Sequence, residues 1–221
     1  MMKSFLIIVC LSIVALSVGS ASAMADIMLD FHMGSVTSSY TYATGNFSVS
    51  VYPSLTSGSV TRLISPTGVA NFLGGNWGLG GDFSVSMTIS NIAASTADGD
   101  GSFVITDTDG DTITGDITGN WEREGTGNNF SGLLYNVVWN NESNDDTFNG
   151  HVGSISMLNL NEYPWNGAMT ELSTTSIWFG NGSNYTTTSG SVDASIVPLP
   201  GALLLGLLGL GATGLKLRKF A

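Results

Sequence analysis

Between residues 26 and 196 apolar and polar positions alternate with a period of two, and no stretch carries the 3.6-residue period of an amphipathic helix. Phe47-Ser-Val-Ser-Val51, Phe83-Ser-Val-Ser-Met-Thr-Ile89 and Phe103-Val-Ile-Thr106 are the clearest runs. Gly, Asn and Asp punctuate them at hairpin spacing. Many short strands with frequent turns predict an all-β fold, an antiparallel β-sandwich of the jelly-roll or immunoglobulin-like kind. Repeated fragments such as Phe-Ser-Val-Ser at 47 and 83 sustain no period, which argues against a solenoid.

The hairpin around Asp109-Gly110 can be worked out in register. A two-residue loop sets Ile105 opposite Thr114 and mixes core with solvent. A three-residue loop, Thr108-Asp109-Gly110, pairs Ile105 with Ile113, Thr106 with Thr112 and Val104 with Thr114. That choice puts the apolar set on one face and gives the loop its terminal glycine. Trp121 then continues the apolar face of Ile113 and Ile117, and Trp139 that of Leu133, Tyr135 and Val137, so both read as core. Trp77, in the glycine-rich segment 74–81, and Trp165 read as exposed aromatics.

The two ends have a different character. Lys3 precedes an apolar run from Phe5 to Val18, and Ala21-Ser-Ala23 and Ala23-Met-Ala25 follow it, the layout of a secretory signal peptide cut after Ala23 or Ala25. The organisation expected is a signal peptide over 1–25, a β-sandwich domain over 26–181, a Ser/Thr-rich edge strand or linker over 182–196 and a tail over 197–221. The only cysteine, Cys10, lies in the leader, so the body is expected to fold without disulfides. The body holds all 17 acidic residues against Arg62 and Arg123. Such a charge balance repels phosphates and excludes nucleic acid as a partner.

In the tail, Val197, Pro198, Leu199, Pro200 and Gly201 form a stiff extended element. The apolar run from Ala202 to Leu215 follows as a single hydrophobic helix, about 21 Å long against a hydrocarbon core of about 30 Å. The basic residues Lys216, Arg218 and Lys219 close the chain and are expected to stay on the cytoplasmic side. Residues 197–219 resemble the PEP-CTERM sorting signal, in a variant with Leu199 at the middle position and Leu217 interrupting the basic cluster. The leader makes signal peptidase one processing partner, and the resemblance implies an exosortase-like enzyme as another. It also implies passage through the inner membrane, where the tail holds the chain transiently, and release at the cell surface or into extracellular polymer. A plain C-terminal membrane anchor is the alternative.

Chemistry-bearing residues are sparse in the body. Asp107, Asp109 and Asp111 resemble a calcium loop, but Thr112 stands where the EF-hand glycine belongs and Thr118 where its bidentate Glu belongs. The register places Asp107 opposite Asp111, where like charges repel unless a cation or solvent relieves them. Calcium is therefore the one cofactor to weigh, against the ordinary use of Asp-Gly in turns. Asp30 and His32 share a strand face, and His151 stands apart. Neither histidine lies in a nucleophile or metal motif. Glu122, Glu124, Asp145 and Asp146 read as surface charge. No catalytic residue is expected. The reading is an exported surface or matrix protein, structural or adhesive in exopolysaccharide or biofilm. The alternatives are a secreted polysaccharide-active hydrolase and a calcium-stabilised carbohydrate-binding module.

Overall fold

Alternation drives the fold strand by strand. In the computed structural model, which describes residues 28–158, 160, 165–175 and 178–198, the body is all-β. The first strands are β1 (Leu29–Gly34), β2 (Thr37–Thr41), β3 (Asn46–Ser50), β4 (Ser57–Arg62) and β5 (Gly68–Phe72). A meander of longer strands follows: β6 (Asp82–Ser90), β7 (Thr96–Thr106), β8 (Thr112–Glu124) and β9 (Gly127–Asn140). β10 (Thr147–Asn149), β11 (Ser154–Ser156), β12 (Trp165–Thr174), β13 (Tyr185–Thr187) and β14 (Gly190–Pro198) complete the set. The leader and the chain from Leu199 onward, including Pro200, Gly201, Lys216, Arg218 and Lys219, lie outside the described residues; Val197 and Pro198 end β14. Among the described residues no helix is long and apolar enough to cross a membrane.

Twelve strands form one antiparallel sheet in the order β13-β2-β3-β6-β7-β8-β9-β12-β14-β1-β4-β5. β6 shows why: Phe83, Val85, Met87 and Ile89 are buried, while the Ser and Thr residues between them face outward. Each such burial stabilises by about 1.5–3 kcal/mol before chain entropy is counted. The sheet curls so that its inner faces meet. Phe31 of β1 touches Phe103 of β7, ring centroids 6.2 Å apart, although four strands separate them in the order. This two-layered arrangement is consistent with a β-sandwich.

The core is built around aromatic rings. Trp121 meets Phe47 at 4.8 Å, Phe130 at 5.3 Å and Phe179 at 5.0 Å between centroids. Room for this cluster comes from a row of glycines, Gly99, Gly119 and Gly132, paired directly across β7, β8 and β9. A Cβ on Gly119 or Gly132 would stand within 2.8 Å of the Phe130 ring. Phe179, on the one-turn 3-10 helix Phe179–Asn181, closes the cluster.

Three expectations change. Between the pairs Thr114 with Val138 and Asp116 with Tyr135, β9 carries one residue more than β8, a bulge at which Asn136 takes a positive φ of 53°. The alternation on β9 therefore shifts phase: Leu134, Val137 and Trp139 point inward, while Leu133 and Tyr135 are exposed. Trp77 and Trp165 are buried rather than exposed, Trp77 stacking on Phe72 at 4.9 Å and the Trp165 indole N–H donating to the Leu160 carbonyl. Finally, of the two readings of 182–196, edge strand or linker, it is strand that forms. Residues 185–187 form the edge strand β13, and β14 lies inside the sheet between β12 and β1. The period-two run Ser191-Val-Asp-Ala-Ser-Ile196 explains this, with Val192, Ala194 and Ile196 buried.

Candidate functional site

The β7–β8 hairpin adopts the three-residue register, with Ile105 opposite Ile113 and Val104 opposite Thr114. Gly110 takes a φ of 106°, which a side chain would oppose. At the tip, Asp107 and Asp111 are fully buried and Asp109 is exposed. One oxygen of Asp107 accepts the backbone N–H groups of Asp109, Gly110 and Asp111 at 2.9–3.0 Å. Its other oxygen accepts the Asn149 N–H at 2.7 Å. Asp111 accepts the Ser143 N–H at 2.7 Å and the Ser143 hydroxyl at 2.9 Å. The Asn149 side-chain amide donates to Asp109 at 3.0 Å and to Asp145 at 3.2 Å. The hairpin tip is thus clasped to the segment 143–149 by two buried carboxylates.

Carboxylate oxygens of Asp107, Asp109 and Asp111 lie within 4.8 Å of one another, a span one hard cation could bridge. Protein donors already occupy four acceptor positions on Asp107 and two on Asp111, so a cation would compete with N–H groups that hold the same oxygens. Burial pushes Asp107 up to about 6, helped by the Asp109 carboxyl and opposed by the N–H groups of Asn149 and Asp109. Asp145 is held below the usual carboxylate range by the Thr147 hydroxyl and then the Thr147 N–H. His151 packs edge-on against Phe72, its centroid 5.8 Å away, and both ring nitrogens are buried without a hydrogen-bond partner among the described residues.

A second cluster lies on the outer face of β14, β1 and β4. Asp193, His32 and Ser59 stand in one cross-strand row, and Ser195, Asp30 and Thr61 in the next. His32 Nδ1 bonds Asp193 at 2.7 Å, and the Ser195 hydroxyl donates to Asp30 at 2.5 Å. Asp30 and His32 do share a face, but Asp193 is the carboxylate that holds the imidazole. These side chains line a groove of about 310 Å³. Asp193 and Ser195 escape the sequence reading because their segment reads as either an edge strand or a linker, neither of which places them beside His32 and Asp30; its alternation was the available signal.

Across β2, β3, β6, β7 and β8 the outer face is a lattice of short polar side chains. Ser39, Ser48, Ser86, Ser102 and Asp116 form one continuous row. Thr41, Asn46, Thr88, Asp100 and Thr118 form a neighbouring one. Each row spans about 19 Å at about 4.8 Å per strand. Cross-links within rows join Ser39 to Ser48 at 2.8 Å and Thr118 to Asp100 at 2.5 Å. Comparison with known protein families, with curated proteins and with solved structures finds no match for this chain.

Proposed function

We propose that this chain is an exported, non-enzymatic protein of the cell surface or extracellular matrix, a β-sandwich whose polar outer face adheres to exopolysaccharide. The observation that carries the reading is the lattice of Ser, Thr, Asn and Asp on β2, β3, β6, β7 and β8. Ordered hydroxyl and carboxylate groups on a stiff sheet exchange hydrogen bonds with sugar hydroxyls without losing loop entropy on binding. Delivery rests on the terminal signals. Signal peptidase removes 1–25, the tail holds the chain briefly in the inner membrane, and an exosortase-like enzyme cuts at Val197, Pro198, Leu199, Pro200, Gly201 ahead of the basic stop.

The reading is tested by cosedimentation of the mature protein with extracellular polymer from its producer. Replacing Ser48, Ser86 and Ser102 together by Ala is expected to cut the bound fraction at least fivefold while thermal unfolding is retained. Undiminished binding by the triple variant would refute the face as the adhesive surface. A second reading, a calcium-stabilised module, is favoured by one observation, the convergence of Asp107, Asp109 and Asp111. Calcium-dependent stability of the mature protein would distinguish it.

A further inference from the structure

We propose that the groove on β14, β1 and β4 binds a cationic amino sugar, its ammonium held between Asp30 and Asp193, the latter positioned by His32, and its hydroxyls on Ser59, Thr61 and Ser195. The assignment rests on the polysaccharide reading above and narrows it to one class of monomer. About 310 Å³ is at the small end of ligand sites and suits one pyranose unit.

The chemistry of the lining selects charge. Its polar side-chain groups are two carboxylates, an imidazole and three hydroxyls, and among the described residues no Lys or Arg lines it. Acceptors dominate, so the site attracts a cation and repels a uronate or a phosphate. The body around it carries 17 acids against Arg62 and Arg123, which reinforces the preference. A bare amine would satisfy the carboxylates and leave the hydroxyls of Ser59 and Thr61 to water. A neutral sugar would use the hydroxyls and forgo the charge-assisted bonds. A ring that carries both an ammonium and hydroxyls uses the carboxylates and the hydroxyls together.

The site is also held in place before any ligand arrives. Its six residues form two rows of three on adjacent strands, so each side chain has a directly opposed neighbour. Asp193 fixes the His32 ring through Nδ1, which leaves Nε2 turned toward Gly34, 3.7 Å from where a Cβ on that residue would stand. Ser195 fixes Asp30. Asp30 and Asp193 are diagonal neighbours, Cα atoms about 7–8 Å apart, so they can flank one ammonium-bearing ring. All six residues sit on strands inside the sheet rather than on loops, which keeps the constellation stiff.

The experiment is calorimetric titration of the mature protein with the β-1,4-linked glucosamine trimer, its fully N-acetylated counterpart, ethanolamine and calcium chloride. The free-amine trimer is expected to bind with a Kd on the order of 1 mM and the acetylated trimer at least tenfold more weakly. Salt at 0.5 M should weaken the first markedly. Asp30→Asn should lose about tenfold, and Thr61→Val, a β-branched replacement on an exposed face, about threefold with unfolding unchanged. Equal affinity for both trimers, ethanolamine or calcium binding as tightly as the sugar, or unaltered binding by both variants would overturn the proposal. A protein that cosediments with polymer but ignores the glucosamine trimer loses this assignment alone. One that binds the trimer but not the polymer loses the broader adhesive role alone.

Discussion

Replacing Asp107 by Asn probes the buried clasp at the β7–β8 tip. The sign follows from the shift. Asp107 titrates near 6 in the folded chain against an ordinary value of 3.8. The folded state therefore binds the proton more tightly than the unfolded one. Its contribution to stability is fully present below about 3.8 and is lost as the pH rises through about 6. Two units at 1.36 kcal/mol each give about 3 kcal/mol as the size of the loss. The Asn variant cannot titrate. Its carbonyl oxygen still accepts the three turn N–H groups, but its amide meets the Asn149 N–H donor to donor, which costs about 1–3 kcal/mol. The variant should therefore be less stable than the parent by about that amount at pH 4 and close to it at pH 7. Chemical denaturation of both proteins from pH 4 to 7 gives the difference directly. Asp145 does not confuse it: its folded value is lowered, so its contribution is present above 3.8 and lost only as the pH falls below. If the Asn variant costs most at pH 7, Asp107 is instead an anion stabilised by its four N–H donors, and the reasoning from burial fails.

Other expectations concern the core and the acidic corner. His151→Leu removes two buried, unpartnered ring nitrogens beside Phe72 and should raise Tm by about 2–4 °C, about 1 kcal/mol for a domain of this size; a fall of several degrees would count against the unpaired imidazole. Trp121→Ala empties the centre of the aromatic cluster and should cost about 3–5 kcal/mol in urea denaturation, whereas a loss under 1 kcal/mol would show that the cluster is not the core. Calcium at 1 mM should move Tm by less than about 1 °C, because protein donors already hold Asp107 and Asp111, and a gain above about 5 °C would mean that the ion displaces them.

The alternation of the body made the all-β class legible, and the loop chemistry of Thr108-Asp109-Gly110 made one hairpin legible to the residue. Both are local signals. The phase change on β9 was not, because the bulge depends on the partner strand as much as on Asn136 itself. Trp77 read as exposed because its glycine-rich surroundings look like an open loop; its ring folds back onto Phe72, five residues earlier, and packs over Gly58 of β4, a position its own segment does not reveal. The clasp was half legible. The sequence placed Asp107 opposite Asp111, but the donors Ser143 and Asn149 lie more than thirty residues away in a segment that reads as polar loop. The groove was least legible, since it needs β14 and β4 on either side of β1, and strand order across twelve strands is not written in any one of them.

The central claim, export followed by sorting at the C-terminus, is tested most directly by the intact mass of the protein recovered from its native producer after fractionation. The account predicts a species from the cell surface or extracellular polymer that starts at residue 24 or 26 and ends near Pro198. A species still carrying Lys219 and recovered with the membrane, or one retaining Met1 inside the cell, would contradict it.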